Sequence, residues 1–149
     1  MLRTRRTAGS VAVAVAVLLG YLCSVACGDS GVEADGSAGA TCDVPEDCYG
    51  DVDPEEIAGA VQCLGRVPGG YCTHACATDA DCCAAAGECD GRPQVCAPFE
   101  STGEMMCFLS CEGVDEAQDD PDGYCHEYAS ESFSCRSTGG GSNNRKVCA

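Results

Sequence analysis

The chain has 149 residues, a formal net charge of −16 and 16 cysteines, with no tryptophan and only three phenylalanines. Its acidity argues against nucleic acid and anionic phospholipid as partners, because both would repel it. A chain this poor in large apolar side chains cannot bury enough apolar surface to offset the entropy lost on folding. Covalent cross-links are therefore expected.

Residues 1–26 have the pattern of a secretory signal peptide. Arg3, Arg5 and Arg6 precede an apolar run over residues 11–22, and small residues follow it. The run is shorter than the roughly 20 apolar residues that a membrane-spanning helix needs. We expect export of the chain and removal of this segment.

The end of the signal peptide carries a more specific motif. Residues 24–26 are Ser-Val-Ala, and Cys27 follows them directly. This arrangement resembles a bacterial lipobox, although serine stands where that motif usually has leucine. The resemblance implies cleavage before Cys27 and attachment of lipid to its sulfur. The alternative is ordinary signal-peptidase cleavage, with Cys27 incidental.

The number of cysteines supports lipid attachment. Residues 42–148 contain fourteen cysteines, an even number that can pair completely, so Cys27 is left for the lipid. Without lipid, cleavage before Cys27 would leave an odd thiol in an oxidising compartment. An odd cysteine can also pair between chains.

Residues 27–41 are predicted to be a flexible acidic tether. They are small and polar, and a flexible segment of this length spans on the order of 20 Å. The signal peptide holds three of the eight basic residues and no acidic ones, which leaves five basic against 24 acidic residues beyond it. This charge favours solubility; an acidic surface for cations or for a basic partner is the alternative.

Residues 42–148 are predicted to form one disulfide-rich domain. Thiolate–metal sites favour C-x2-C spacings, and the closest spacings here are x3 and x0. We therefore expect disulfides, no metal site and no cofactor. The predicted half-cystines are Cys42, Cys48, Cys63, Cys72, Cys76, Cys82, Cys83, Cys89, Cys96, Cys107, Cys111, Cys125, Cys135 and Cys148.

The adjacent cysteines Cys82 and Cys83 constrain the pairing. Neighbouring Cα atoms lie about 3.8 Å apart, below the usual disulfide range of about 4.4–6.8 Å. Each is therefore expected to bond a separate, distant partner. The spacing C-x3-C-x5-CC-x5-C-x6-C resembles a knottin-like or Dickkopf/colipase-like module, over about residues 63–96.

The expected fold class is a small, disulfide-rich, irregular and turn-rich domain with two short helices and hairpin pieces. Capping signals predict the helices over residues 53–64 and 78–86. Hairpin strands are expected around residues 94–96 and 104–109, and a turn at residues 121–123.

The cysteine spacing repeats along the chain. The run Cys63 to Cys82 parallels the run Cys96 to Cys125, and residues 42–48 echo residues 76–82, both ending in Asp-Cys. We interpret this as three degenerate units of four cysteines, with Cys83 and Cys107 left over as a candidate pair. Tandem units behind a lipid signal are similar to cysteine-rich lipoproteins of myxobacteria-like predatory bacteria. That resemblance implies an envelope location.

Candidate chemical sites are few. Residues 115–122 form the best calcium candidate, but placing Gly123 at the sixth loop position leaves no acid at positions one and twelve. His74 and His126 adjoin cysteines, yet a bridged sulfur is no nucleophile, so both histidines are expected to face solvent. The sequence therefore predicts no enzyme and no small-molecule substrate.

The functional prediction is a non-enzymatic lipoprotein that presents a disulfide-stapled binding or structural module in the cell envelope. Its partner would be a membrane, favoured as the outer membrane, with another surface protein as a second candidate. Residues 66–71 and 100–106 are the candidate recognition loops. The alternatives are a secreted protease inhibitor acting through residues 66–71 and a calcium-dependent binding module.

Overall fold

The computed structural model describes residues 37–89, 91–99, 102–114, 120–139 and 144–149. Within these residues it shows short helical turns, the α-helix Pro121–Tyr128 and three antiparallel hairpins, which confirms the predicted disulfide-rich, irregular fold class. In chain order the elements are a 3-10 turn (Pro45–Asp47), β1 (Val61–Cys63), β2 (Cys72–His74), a 3-10 turn (Asp79–Cys83), β3 (Gln94–Phe99), β4 (Glu104–Leu109), α1 (Pro121–Tyr128), β5 (Cys135–Ser137) and β6 (Lys146–Cys148).

Three units share one plan, a helical segment followed by a hairpin. In each unit the first cysteine bonds the third and the second bonds the fourth. All fourteen cysteines from Cys42 onward are paired within the chain. The six bonds of this plan are Cys42–Cys63 and Cys48–Cys72, Cys76–Cys96 and Cys82–Cys107, and Cys111–Cys135 and Cys125–Cys148.

The hairpin register explains the pairing. The third and fourth cysteines of each unit lie directly opposite each other on neighbouring strands, as Cys63↔Cys72, Cys96↔Cys107 and Cys135↔Cys148. Side chains of directly opposed residues project from the same face of a hairpin. The third cysteine bonds the cysteine that precedes the helical segment, and the fourth bonds the cysteine within or just after it. Two bonds therefore hold the hairpin of each unit to the segment before it.

The seventh bond, Cys83–Cys89, lies outside this plan and closes a loop with a sequence separation of only 6. Cys83 is exposed and Cys89 half-buried, whereas each of the other six bonds has at least one buried cysteine. The predicted Cys83–Cys107 pair is wrong, because Cys107 bonds Cys82. The adjacent cysteines do have separate partners, but only that of Cys82 is distant.

The structure shows where each unit of four cysteines begins, which the spacing left open: at Cys42, Cys76 and Cys111. The x3 spacings Cys72/Cys76 and Cys107/Cys111 join the last cysteine of one unit to the first of the next, and do not lie within a unit. The similarity between residues 42–48 and 76–82 marks where the first two units begin, since each of these segments opens a unit.

The middle hairpin connects the units. Strand β4 forms an isolated bridge with the first unit at Ala75↔Met106, and Ser110, just beyond β4, forms one with β6 at Val147. Cys76 N–H donates to the Met105 carbonyl at 3.1 Å, and Cys111 N–H to the Lys146 carbonyl at 3.2 Å. Backbone hydrogen bonds thus align the three hairpins around β4.

Tyr71 occupies the centre of the largest apolar cluster. Its ring lies 5.4 Å from the Phe108 ring and 5.5 Å from the Phe133 ring, measured between centroids. The Leu109 N–H donates to the Tyr71 hydroxyl at 3.0 Å, so this buried phenol has a partner. The first and third units therefore pack on the middle hairpin through aromatic rings.

Burial raises the pKa of Tyr71 and of Tyr49, because desolvation disfavours the phenolate. A pKa raised in the folded state stabilises the fold fully below the unfolded value of about 10, and this contribution is lost as pH rises above it. We expect an absorbance titration at 295 nm to show two tyrosines that ionise only when the protein unfolds. Ionisation of every tyrosine near pH 10 with native circular dichroism would contradict this burial.

The helix predicted over residues 53–64 does not form. Turns occupy residues 54–59, and β1 begins at Val61. The Asp53 carboxylate does accept the Glu55 N–H at 3.0 Å, but the helix does not continue. Gly59 packs against the Ala75 carbonyl so closely that a Cβ would clash. Pairing of Cys63 opposite Cys72 requires extended chain here.

The segment predicted as a helix over residues 78–86 is a shorter 3-10 turn, Asp79–Cys83. The Asp81 carboxylate accepts the N–H groups of Ala77 and Thr78, both at 2.8 Å. Asp47 does the same for Asp43 and Val44 in the first unit. These hydrogen bonds lower the pKa of both carboxyls. The repeated aspartate before the second cysteine therefore closes the turn.

The turn predicted at residues 121–123 is instead the start of α1. The Asp120 carboxylate accepts the Gly123 N–H at 2.8 Å, and Pro121 occupies the first helical position. Both are strong helix-start signals. The helix carries Cys125, which anchors it to β6 through Cys148.

The packed part of the chain begins before Cys42. Ser37, Ala38 and Ala40 are buried. Gly39 N–H donates to the Cys72 carbonyl at 3.1 Å, and Cys72 N–H donates to the Ala40 carbonyl at 2.8 Å. Residues 37–41, predicted as the end of the tether, thus lie along β2 as part of the domain. Residues 27–36 lie outside the described residues.

Candidate functional site

A cleft of about 450 Å³ lies where the three units meet. The loop after β1, the ends of β3 and β4, and the third hairpin all contribute to its walls. Ligand pockets for small molecules commonly measure about 300–1,000 Å³, so its size suits a small ligand. The cleft is partly open to solvent.

The floor of the cleft is aromatic. Phe99, Phe108 and Phe133, the three phenylalanines of the chain, all line it. The Phe99 and Phe108 rings are stacked at 6.3 Å between centroids, and Phe99 is half-buried. Phe108 and Phe133 are almost fully buried and support it from below. Val67 and Pro98 extend this apolar surface.

The rim of the cleft is basic. Arg66 and Arg136 both line it with exposed side chains, and no carboxylate residue lines it among those that the structure describes. Arg136 lies on β5 opposite Val147 of β6. In a chain with 24 acidic residues, two of the five basic residues after residue 26 thus border one apolar cleft.

A third arginine has a structural role. The Arg145 guanidinium contacts the Asp79 and Glu112 carboxylates at 2.8 Å each. This contact lowers the pKa of Glu112 and raises that of Arg145. Arg145 therefore ties the third hairpin to the second unit.

His74 is buried, so the prediction that it faces solvent is wrong. Its Nε2 lies 2.5 Å from Glu88 Oε1, and both side chains are completely buried. Its Nδ1 lies 2.9 Å from the Ala75 carbonyl oxygen. A carbonyl only accepts, so Nδ1 carries a proton and the pair shares one further proton between Nε2 and Glu88. The pair is therefore net neutral in either arrangement.

Further contacts hold this pair in place. Glu88 Oε2 accepts the Ala85 N–H at 2.9 Å. The Tyr49 ring packs edge-on against the imidazole at 5.5 Å between centroids. Cys107, beside His74, is bonded to Cys82, so its sulfur is not a thiolate nucleophile. The arrangement serves packing between the first two units. His126 is exposed, as predicted.

The cysteine sulfurs form three groups of three, and within each group the sulfurs lie within 4.8 Å of one another. Each group holds the first, second and fourth cysteines of one unit, because the two bonds of a unit run side by side. Metal ligation requires thiolates, and these sulfurs are bridged. The groups are Cys42, Cys48 and Cys72; Cys76, Cys82 and Cys107; and Cys111, Cys125 and Cys148.

The calcium candidate falls partly outside the described residues, which omit 115–119. Of its remaining acids, Asp120 accepts the Gly123 N–H, and Asp122 accepts the Cys135 N–H at 2.8 Å. Both carboxylates thus have a structural role at α1.

The predicted lipidation site, Cys27, also lies outside the described residues. No helix in the described ranges is long and apolar enough to cross a membrane.

The two candidate recognition loops differ in position. In the first loop, residues 66–68 line the cleft, with Arg66 exposed, whereas Tyr71 is completely buried beneath it in the core. Gly70, at φ 75°, packs on the backbone of Cys42 and holds the loop against the domain. Residues 104–106 belong to β4, and Glu100 and Ser101 lie outside the described residues.

The chain matches no family model, and neither curated proteins nor solved structures show a significant match to it. The assignment of the cleft as a candidate site therefore depends on its geometry alone.

Sequence reasoning missed Phe99, Phe108, Phe133 and Arg136 as site residues. The sequence carried no signal that would have brought these residues together, since they are separated by up to 37 positions along the chain.

Proposed function

We propose that this protein is an exported, lipid-anchored protein of the bacterial cell envelope that displays a non-enzymatic binding module. The observation that carries the proposal is the complete internal pairing of the cysteines from Cys42 to Cys148. Seven disulfides support this location, because disulfides form and persist mainly in oxidising compartments outside the cytoplasm. The pairing leaves Cys27 without an internal partner among them, at the position where the lipobox resemblance places the lipid.

The module suits recognition because its surface is rigid. Two bonds hold each unit, and backbone hydrogen bonds join the units through β4. A surface fixed in advance loses little conformational entropy on binding. The cleft is the surface that supports a binding role best, since it combines apolar area with polar groups at its rim.

Anchoring depends on one sulfur in this proposal. Acyl chains stabilise membrane attachment by about 0.8 kcal/mol per buried CH₂ group. We expect Cys27→Ala to abolish metabolic labelling with a fatty-acid analogue and to move the protein from the membrane to the soluble exported fraction. Cys23→Ala is the matched control and should leave labelling unchanged. Mature wild-type protein with an unmodified Cys27 would overturn the anchor.

A further inference from the structure

The geometry points to a specific ligand class for the cleft: a small organic monocarboxylate with an aromatic or branched apolar body. This inference rests on the proposed binding role of the domain. It assigns the apolar body to the phenylalanine floor and the carboxylate to Arg136 at the rim.

The floor selects for apolar ligands. Phe99 is half-buried and stacks on Phe108, so part of its ring surface remains available to a ligand. Aromatic rings prefer offset or edge-on contacts with another ring, which adds to the gain from burying apolar area. A cleft of about 450 Å³ accommodates one aromatic group with a short polar extension.

The rim selects for one negative charge. The guanidinium of Arg136 presents parallel N–H donors that match the two oxygens of a carboxylate. Arg66, on the loop after β1, adds a second positively charged side chain to the cleft lining. Because the net charge of the chain is −16, polyanions are repelled before they reach these arginines. A single carboxylate beside an apolar group satisfies both constraints.

The arrangement disfavours other ligand types. A cation would meet two arginines at the rim and no carboxylate among the described lining residues. A neutral apolar molecule would gain the floor contacts but would leave the guanidinium without an anion. The carboxylate therefore distinguishes the proposed ligand from cations and neutral molecules, and its apolar body supplies much of the contact area.

The test is a titration of the full chain carrying Cys27→Ala, followed by amide NMR. The probes are N-acetyl-phenylalanine and its neutral counterpart N-acetyl-phenylalaninamide, which differ only in the carboxylate. For about fifteen non-hydrogen atoms we expect a Kd on the order of 1 mM for the acid. The amide should bind about tenfold more weakly, because it lacks the charge-assisted hydrogen bonds.

Two variants with the same change in net charge complete the test. Arg136→Gln should weaken binding of the acid about tenfold and remove its advantage over the amide. Arg92→Gln, which lies outside the cleft lining, should leave both affinities unchanged. Intact mass and the NMR spectrum verify that each variant keeps seven disulfides and its fold.

Several outcomes would overturn the assignment. These are equal binding of acid and amide, no binding of the acid at 10-fold above the expected Kd, or equal losses in both arginine variants. Because every sample lacks Cys27, these results do not depend on the anchor. Failure of lipid labelling and failure of ligand binding are therefore distinguishable.

Discussion

Replacing Cys82 and Cys107 together by alanine should lower the melting temperature by about 20 °C or prevent folding. Their bond closes a loop with a sequence separation of 25, and both cysteines are completely buried. The chain-entropy relation assigns about 3–4 kcal/mol to a loop of this length, and the cavity left by two buried sulfurs adds to it. A domain of this size loses about 4–8 °C per kcal/mol.

The matched control is the double replacement of Cys83 and Cys89 by alanine. It also removes one bond and keeps an even number of cysteines, but the sequence separation is only 6 and neither cysteine is buried. The same relation gives about 2 kcal/mol, without a cavity of comparable size. Thermal melting followed by circular dichroism compares the two variants. Equal melting temperatures would show that the interlaced bonds are not the main support of the fold.

Glu88→Ala should destabilise the protein by about 3–5 kcal/mol, because it leaves His74 buried without its partner. It also removes the acceptor of the Ala85 N–H, a second buried group. Such a loss is a large part of the roughly 5–15 kcal/mol that stabilises a typical domain. Thermal melting at pH 7 measures it, and Glu88→Gln, which keeps an acceptor oxygen, should lose less.

The control for this prediction is Glu131→Ala. Glu131 is exposed, and its replacement should change stability by no more than about 0.5 kcal/mol. Equal melting of the Glu88→Ala variant and the wild type would show that the buried pair contributes no net stability. That outcome would mean that desolvation of the two groups cancels their attraction.

The cysteine pattern predicted disulfides and repeated units, but not which cysteines pair within each unit. The Asp-Cys signal at Cys48 and Cys82 marks the start of two units, because the aspartate closes the turn that presents the second cysteine. The equally regular x3 spacing does not lie within a unit, since it measures the short connections between units. Spacing records distance along the chain, and it does not distinguish connections within a unit from connections between units.

Local helix signals failed for a related reason. Residues 53–56 carry a good helix start, yet a helix through Cys63 would prevent its pairing opposite Cys72. Two disulfides and a hairpin outweigh a capping preference of about 1 kcal/mol. The helix-start signal at Asp120 and Pro121 does produce a helix. That helix is compatible with the disulfides, because its Cys125 bonds Cys148 of β6 directly.

The sequence by itself determined that this chain is rich in cysteine and poor in large apolar side chains, and that its cross-links number seven within residues 42–148 if all the cysteines there pair internally. Only the tertiary structure decided which cysteines pair, that His74 and Glu88 share a buried site, and that three distant phenylalanines meet beside Arg136. Composition fixes the energetic need for cross-links, since it sets how much apolar surface exists to bury. Cysteine pairing and the cleft depend on which residues the hairpins bring together. Most of those residues are tens of positions apart along the chain, so local sequence patterns do not reveal their contacts.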